Sequence, residues 1–302
     1  NIGAEGQFIM GSVAATVVGI LFDFPPVIQI PLVLSAGVAA GAVYGGIAGF
    51  LKAKFGIQEV LTSIMLNWIA LSFSNYVCGL NRFHKPDTIG TYAINRSGYT
   101  MILGNYKATE EGKAALAQNE FLRSTILKTD VNAGFIIAIV LAVLISFLLY
   151  KTAKGFELRA VGSNRFAAEF SGIYVNRNIL HSMLISGAIC GLAAALYITG
   201  NSPHGIATLA AFENTGFNGL AVCLIAASSP IGCIFAGLLF GGLIYGGQTL
   251  QYEVGAPSEI INIVIGVIVF FVALAHSIPP LVERLRKVPL GKPGRNVSKG
   301  GK

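Results

Sequence analysis

Two stretches of this chain set amide and carboxylate side chains among glycines at one spacing. Asn1-x-Gly3-x-x-Gly6 opens the sequence, and Asn214-x-Gly216-x-x-Gly219 repeats the pattern late in it, each leading into a short apolar run. Glycine lets a backbone leave its helical path and approach a neighbour or ligand closely. Asn1, Glu5 and Gln7 in the first copy, and Glu213, Asn214 and Asn218 in the second, would offer donors and acceptors to a polar solute. The alternative is that they cap helices at a membrane surface, since Asn is a good N-cap. Asn67 lies near the middle of an apolar run and shares a helical face with Ser63 and Ser74. It either lines a pathway or bonds a neighbouring helix.

Other chemistries lack their residues. The sequence holds no G-x-x-x-x-G-K-S/T phosphate loop, no H-E-x-x-H zinc pair and no G-x-S-x-G nucleophile turn. Cys78, Cys190, Cys223 and Cys233 sit in or beside apolar runs, as free buried thiols do, and suggest neither metal site nor disulfide framework. No catalytic residue, metal ligand or bound cofactor is expected, so energy for any pumping would enter through a partner.

The elements around these residues must be membrane helices. Of 302 residues, 54% are hydrophobic and only 12% charged, about half the charge of soluble domains; the mean hydropathy is +0.68. The net charge of +7 lies in separate hydrophilic blocks and is no nucleic-acid signature. A bilayer core of about 30 Å takes roughly 20 apolar residues as helix. That length predicts about eight spans: 8–22, 31–51, 60–80, 134–150, 178–199, 217–229, 231–249 and 258–277. The expected fold class is all-α, a polytopic membrane protein.

Lys and Arg orient the spans. Fourteen of the 21 fall in 151–177, after Pro280, or at Lys52 and Lys54, and all three blocks share one side if the spans alternate. That side is expected to be cytoplasmic, with the C-terminus on it. Spans 8–22 and 217–229 then run in opposite directions, which makes the glycine motif an inverted repeat. The neighbouring GAVYGG (41–46) and GLIYGG (242–247), and Pro31 and Pro230 ahead of each neighbouring span, extend it. Paired short spans in inverted halves point to a transporter site near the midplane. Five spans per half predicts ten in all, with two upstream of a chain that begins without Met and inside a motif. The organisation expected is one transmembrane domain over 1–302. Residues 1–80 are the remainder of the first half, 81–133 an extracytoplasmic segment, 134–278 the second half and 279–302 a basic cytoplasmic tail. No Asp, Glu, Lys or Arg occurs within 31–51, 134–150, 178–199, 217–249 or 260–277. An ion-coupled carrier usually needs such groups, so this path suits a neutral polar solute.

The block KTAKGFELRAVGSNRFAAEFSGIYVNRN (151–178) is too polar for lipid, and Phe156, Leu158, Val161, Phe166, Ala168 and Phe170 could form an apolar docking face. A solvated amphipathic loop is the alternative. Its run Gly155, Glu157, Leu158, Arg159, Ala160, Val161, Gly162, Asn164, Ala167, Ala168, Gly172 and Ile173 resembles the coupling loop of permease subunits in bacterial ABC importers for nucleosides and simple sugars. These are akin to branched-chain amino-acid and ribose permeases. NIGAEGQ, EVLTSIMLNWIA (59–70) and GFNGLAV (216–222) look similar too, so the resemblance covers nearly the whole chain. Asn218 stands where family members often carry an acid.

The resemblance implies a ten-helix permease of the bacterial cytoplasmic (inner) membrane, paired with a second permease as homodimer or heterodimer. It implies a cytoplasmic ABC ATPase that uses ATP and Mg, and an extracytoplasmic substrate-binding lipoprotein; no nucleic acid is involved. Coupling to the ATPase would rest on Glu157, Arg159, Gly162, Asn164, Ala168, Glu169 and Gly172. Segment 81–133 would dock the binding protein or cap the pore. The rival reading is an ion-coupled secondary transporter for a small neutral polar solute.

Overall fold

The computed structural model describes residues 1–102, 109–119, 132–254 and scattered positions between 260 and 274. The basic tail, and span 258–277 apart from those positions, lie outside the described residues. The helices are α1 (Ala4–Leu21), α2 (Pro26–Phe55), α3 (Glu59–Cys78), α4 (Glu110–Ala117), α5 (Gly134–Lys151), α6 (Ala153–Ser163), α7 (Arg165–Phe170), α8 (Val175–Gly200), α9 (Thr215–Ile225) and α10 (Gly232–Val254). Among the described residues there is no strand, only isolated bridges. Helices α1, α2, α3, α5 and α8 are long and apolar enough to cross a membrane. The chain divides into two compact units, Asn1–Gly237 and Leu238–Lys302, with the boundary inside α10. In the second unit α10 continues to Val254 and exposes Leu238, Leu239 and Tyr245.

Several boundaries differ from the sequence expectation for physical reasons. Helix α1 starts at Ala4, inside the glycine motif, and is 18 residues long, so it is not a short span. Pro31 does not precede α2 but lies within it. Pro26 occupies the first helical turn, where a missing N–H costs nothing. Pro31 is near enough to that end to deprive only Val27 of a bond. Gly56, at φ 68°, ends α2 in a left-handed cap, and Lys52 and Lys54 complement its last turn. Helix α9 is short, 11 residues, or about 16 Å at 1.5 Å per residue, half a bilayer core. Ala227 and Ser228, both at positive φ, turn the chain before α10.

A glycine seam holds the first unit together. Gly37, Gly41 and Gly45 on α2 face Gly187 and Gly191 on α8, four residues apart like steps on one helix face. A Cβ on Gly37 would stand 2.7 Å from Gly191 O, and one on Gly11 of α1 would stand 2.7 Å from Gly191 Cα. Only hydrogen fits at these contacts. In lipid, where apolar side chains gain little by leaving one apolar medium for another, such backbone approach is what binds helices. Helix α5 has the opposite character. It buries no residue and turns Phe135, Ile136, Leu144 and Phe147 outward.

At the end away from α6 and α7, residues 83–100 fold over the helix termini. Thr91 N–H donates to Ile206 O (2.9 Å), Ile94 N–H to His204 O (2.9 Å) and Asn95 N–H to Gly19 O (3.0 Å). Phe83, Ile94 and Ile206 join Val13, Val33 and Ile198 in one buried cluster. Residues 83–100 thus pack on the ends of α1 and α8; residues 103–108 and 120–131 lie outside the described residues.

Candidate functional site

The two glycine motifs meet. Glu5, in the first turn of α1 and 1% exposed, accepts hydrogen bonds at Oε2 from Gly216 N–H (2.6 Å) and Phe217 N–H (3.4 Å). The first N–H groups of any helix lack partners within it, and here a carboxylate from another helix satisfies two of them. A negative charge is also favoured there by the helix dipole. Asn214 sits at the N-cap position of α9 with φ 62° and makes no side-chain cap of its own. Gly216 is obligatory at the junction, since a Cβ would stand 2.6 Å from Glu5 Cα.

The start of α1 is held in a matching way. Asn67 Oδ1 accepts from Gly6 N–H (2.9 Å), and Asn67 Nδ2 donates to Ile2 O (3.1 Å). A Cβ on Gly6 would lie 2.7 Å from Asn67 Oδ1. Asn67 is near the middle of the 20-residue α3, so α1 begins about halfway along a membrane-length helix. Irregular backbone at that depth has to be satisfied by protein or lie against a cavity. Asn1 adds to the cluster: its Nδ2 donates to Gln7 Oε1 (2.7 Å) and to Ser186 Oγ (2.5 Å) on α8.

The expected pathway residues thus fall into two groups. Glu5, Gln7 and Asn67 are 1–2% exposed, and their described bonds hold the two breaks together. Asn1, Glu213 and Asn214 are exposed, and Asn218 is half-buried on the first turn of α9. Asn75 was missed by the sequence reading. Its Nδ2 donates to Leu209 O (2.8 Å) and its Oδ1 accepts from Leu209 N–H (3.0 Å), pinning the segment that leads into the second motif. The signal was available, since Asn75 is a second carboxamide on α3. Trp68 packs on Phe212, which in turn meets Phe217, with ring centroids 4.7 and 6.4 Å apart.

The block 151–177 is a helical corner rather than a loop. Thr152 caps α6 by accepting from Gly155 N–H (3.0 Å) while donating to Leu148 O (2.6 Å). Asn164 caps α7 by accepting from Ala167 N–H (3.1 Å). Gly172, at φ 79°, reverses the chain into α8. Glu157 Oε2 accepts from Lys154 Nζ (2.9 Å) and Asn178 Nδ2 (3.1 Å), tying α6 to the first turn of α8. The Lys154 ammonium, then the Asn178 amide, hold the Glu157 carboxyl below its usual range. The Arg159 guanidinium lies 5.1 Å from the Tyr150 ring centroid, tying α6 to α5.

Of the expected coupling residues, Ala168 is buried at 3% and Glu157 is half-buried. Arg159, Gly162, Asn164, Glu169 and Gly172 are exposed. Val161 and Ala168, expected on the apolar docking face, point inward, whereas Phe156, Phe166 and Phe170 project outward with Tyr174.

Comparison with known proteins adds identity to this geometry. The family described as the branched-chain amino acid transport system permease component matches residues 1–273. The chain is 38% identical to the guanosine ABC transporter permease protein NupP of Bacillus subtilis (strain 168), over 95% of its own length and 77% of that protein's. It is 34% identical to the nucleoside ABC transporter permease protein NupB of Lactococcus lactis subsp. cremoris (strain MG1363), over 95% and 75%. The glucose ABC transporter permease protein TsgB13 of Haloferax volcanii is 30% identical, over 90% and 68%. No solved structure matches.

Proposed function

We propose how this chain works from what it is: it belongs to the branched-chain amino acid transport system permease family. It acts as the permease subunit of an ATP-driven importer that moves nucleosides or simple sugars across the bacterial cytoplasmic membrane. The family match over residues 1–273 carries this reading, and the names of the nucleoside and glucose permeases supply the solute classes. Nucleosides are the first choice, because the two more similar of these relatives are named for them.

The chain pairs with a second permease, takes solute from an extracytoplasmic binding lipoprotein and rests on a cytoplasmic ATPase that uses ATP and Mg. Exposed Phe156, Phe166, Phe170 and Tyr174 form the apolar docking face for the ATPase. Glu157 and Arg159 transmit its movement, because they fasten α6 to α8 and α5 respectively. Movement of α8 reaches the helix breaks through Ser186 and Asn1. At the breaks, Glu5, Gln7 and Asn67 hold the frame while Asn1, Glu213, Asn214 and Asn218 face the solute. Alternating access follows when the glycine-packed helices rock about that junction.

Reconstituting the full chain with its ATPase, partner permease and binding protein tests the reading. Guanosine uptake should require ATP. Uptake driven by an ion gradient without ATP would replace the importer with a secondary transporter.

A further inference from the structure

Residues 226–231, which join α9 to α10, include no glycine. Ala227 and Ser228 nevertheless stand at φ 50° and 59°, a left-handed conformation that side chains other than glycine seldom adopt. Backbone bonds fix the turn: Ser228 N–H donates to Cys223 O (2.9 Å) and Cys233 N–H to Ser229 O (3.0 Å). A Cβ on Gly232 would stand 3.1 Å from Ala226 O and 3.3 Å from Ala226 Cβ, so the start of α10 lies directly on the end of α9. This tight reversal brings together two cysteines ten residues apart, one on each helix. The Cys233 thiol is in hydrogen-bonding contact with the Cys223 thiol, and Cys223 Sγ lies 4.0 Å from Ser228 Oγ. Ala227 and Ser228 are exposed and both thiols are half-buried, so a small reagent can reach the pair from the turn. Cys78, by contrast, is fully buried.

We propose that Cys223 and Cys233 form an oxidation site, a dithiol that closes to a disulfide by exchange with a low-molecular-weight disulfide. One cysteine thiolate attacks a sulfur of the reagent, forming a mixed disulfide and releasing one small thiol. The other cysteine thiolate then attacks the mixed disulfide and releases the second small thiol. The two cysteines are oxidised, the reagent is reduced, and both cysteine protons end on the released thiols. The spacing in sequence gives no hint of the pair; the turn at Ala227 and Ser228 creates it. A bridge across that turn fastens the end of α9 to α10, while Glu5 already holds the beginning of α9. Secured at both ends, α9 no longer moves against its neighbours, and oxidation arrests transport. That consequence rests on the transporter reading; formation of the bridge does not.

The test treats the purified full chain with oxidised glutathione. Two of the four thiols should be lost to maleimide labelling, and chymotryptic peptides carrying Cys223 and Cys233 should be recovered joined to each other. Cys223→Ser and Cys233→Ser should each yield no joined peptide and only a mixed disulfide on the remaining cysteine. In vesicles holding the chain with its partner subunits, oxidation should slow ATP-driven uptake at least 5-fold, and dithiothreitol should restore it. The Cys223→Ser complex carries the same partners and should keep its uptake in oxidant; Cys233→Ser repeats the comparison from the other helix. Absence of the joined peptide, uptake indifferent to oxidation, or equal loss of uptake in both serine variants would overturn the inference. Uptake under reducing conditions is measured alongside. If it is absent for every solute the transporter reading has failed, and the joined peptide alone then decides the oxidation site.

Discussion

Glu5 shows how one side chain can join two distant segments. Its carboxylate does for α9 what the local Asn214 does not, accepting from Gly216 and Phe217. Replacing Glu5 by Ala orphans both N–H groups, and each unpaired buried donor costs about 1–3 kcal/mol. Glu5→Ala should therefore lower the thermal midpoint of the purified protein. Glu5→Gln keeps an acceptor oxygen and should recover part of the loss. Glu157 gives a pH prediction. Lys154 and Asn178 depress its carboxyl below the ordinary 4.5, so the tie between α6 and α8 is intact above that value. It is lost as the pH falls through the lowered one. Protection of the α8 start against hydrogen exchange, taken relative to the intrinsic rate at each pH, should hold from pH 7 to about 5 and fall only in stronger acid, whereas in Glu157→Gln that fall should be absent.

At the scale of elements, the seam between α2 and α8 is the most restrictive contact. Gly41→Leu would drive a side chain into Gly187 and Gly191; overpacking of this kind typically costs about 1–3 kcal/mol. Thermal unfolding in detergent should show it, and Gly162→Leu, where a Cβ meets nothing within 4 Å, should be neutral. Helix identity was legible in the sequence because hydropathy alone sets a span. The meeting of the two motifs was only half legible. Repeated Asn-x-Gly-x-x-Gly marked the breaks, but the same letters spell a surface cap or a buried junction. The partner decides between them, and Glu5 finds its partner 211 residues away. The seam was less legible still. Glycine spaced by four is visible on α2, but which helix it faces is a tertiary fact. The block 151–177 carried cap residues Thr152 and Asn164 that announce α6 and α7, a signal outweighed by its polar composition.

On the scale of the molecule, apolar surface is unevenly placed. Helix α5 is entirely unburied while α1 is 56% buried across its most apolar window, so the unit has an inner and an outer helix. The α6–α7 corner, which joins two of the apolar helices, carries exposed aromatic rings. Phe166→Ser with Phe170→Ser removes rings that are 76% and 93% exposed, so folding should be unchanged. Retention of the proposed ATPase partner in a detergent pull-down should fall at least 10-fold, the scale of hot-spot loss at about 1.4 kcal/mol. The long-range cap on α9 also dictates an order of assembly. During synthesis Glu5 emerges long before Gly216 exists to receive it, so the carboxylate must stay hydrated, and the first turn of α1 unsettled, until nearly the whole unit has been made. A ribosome-stalled chain ending before Thr215 should leave Glu5 reactive to a carboxyl-modifying reagent, and one long enough to bring Ile225 clear of the ribosome should shield it.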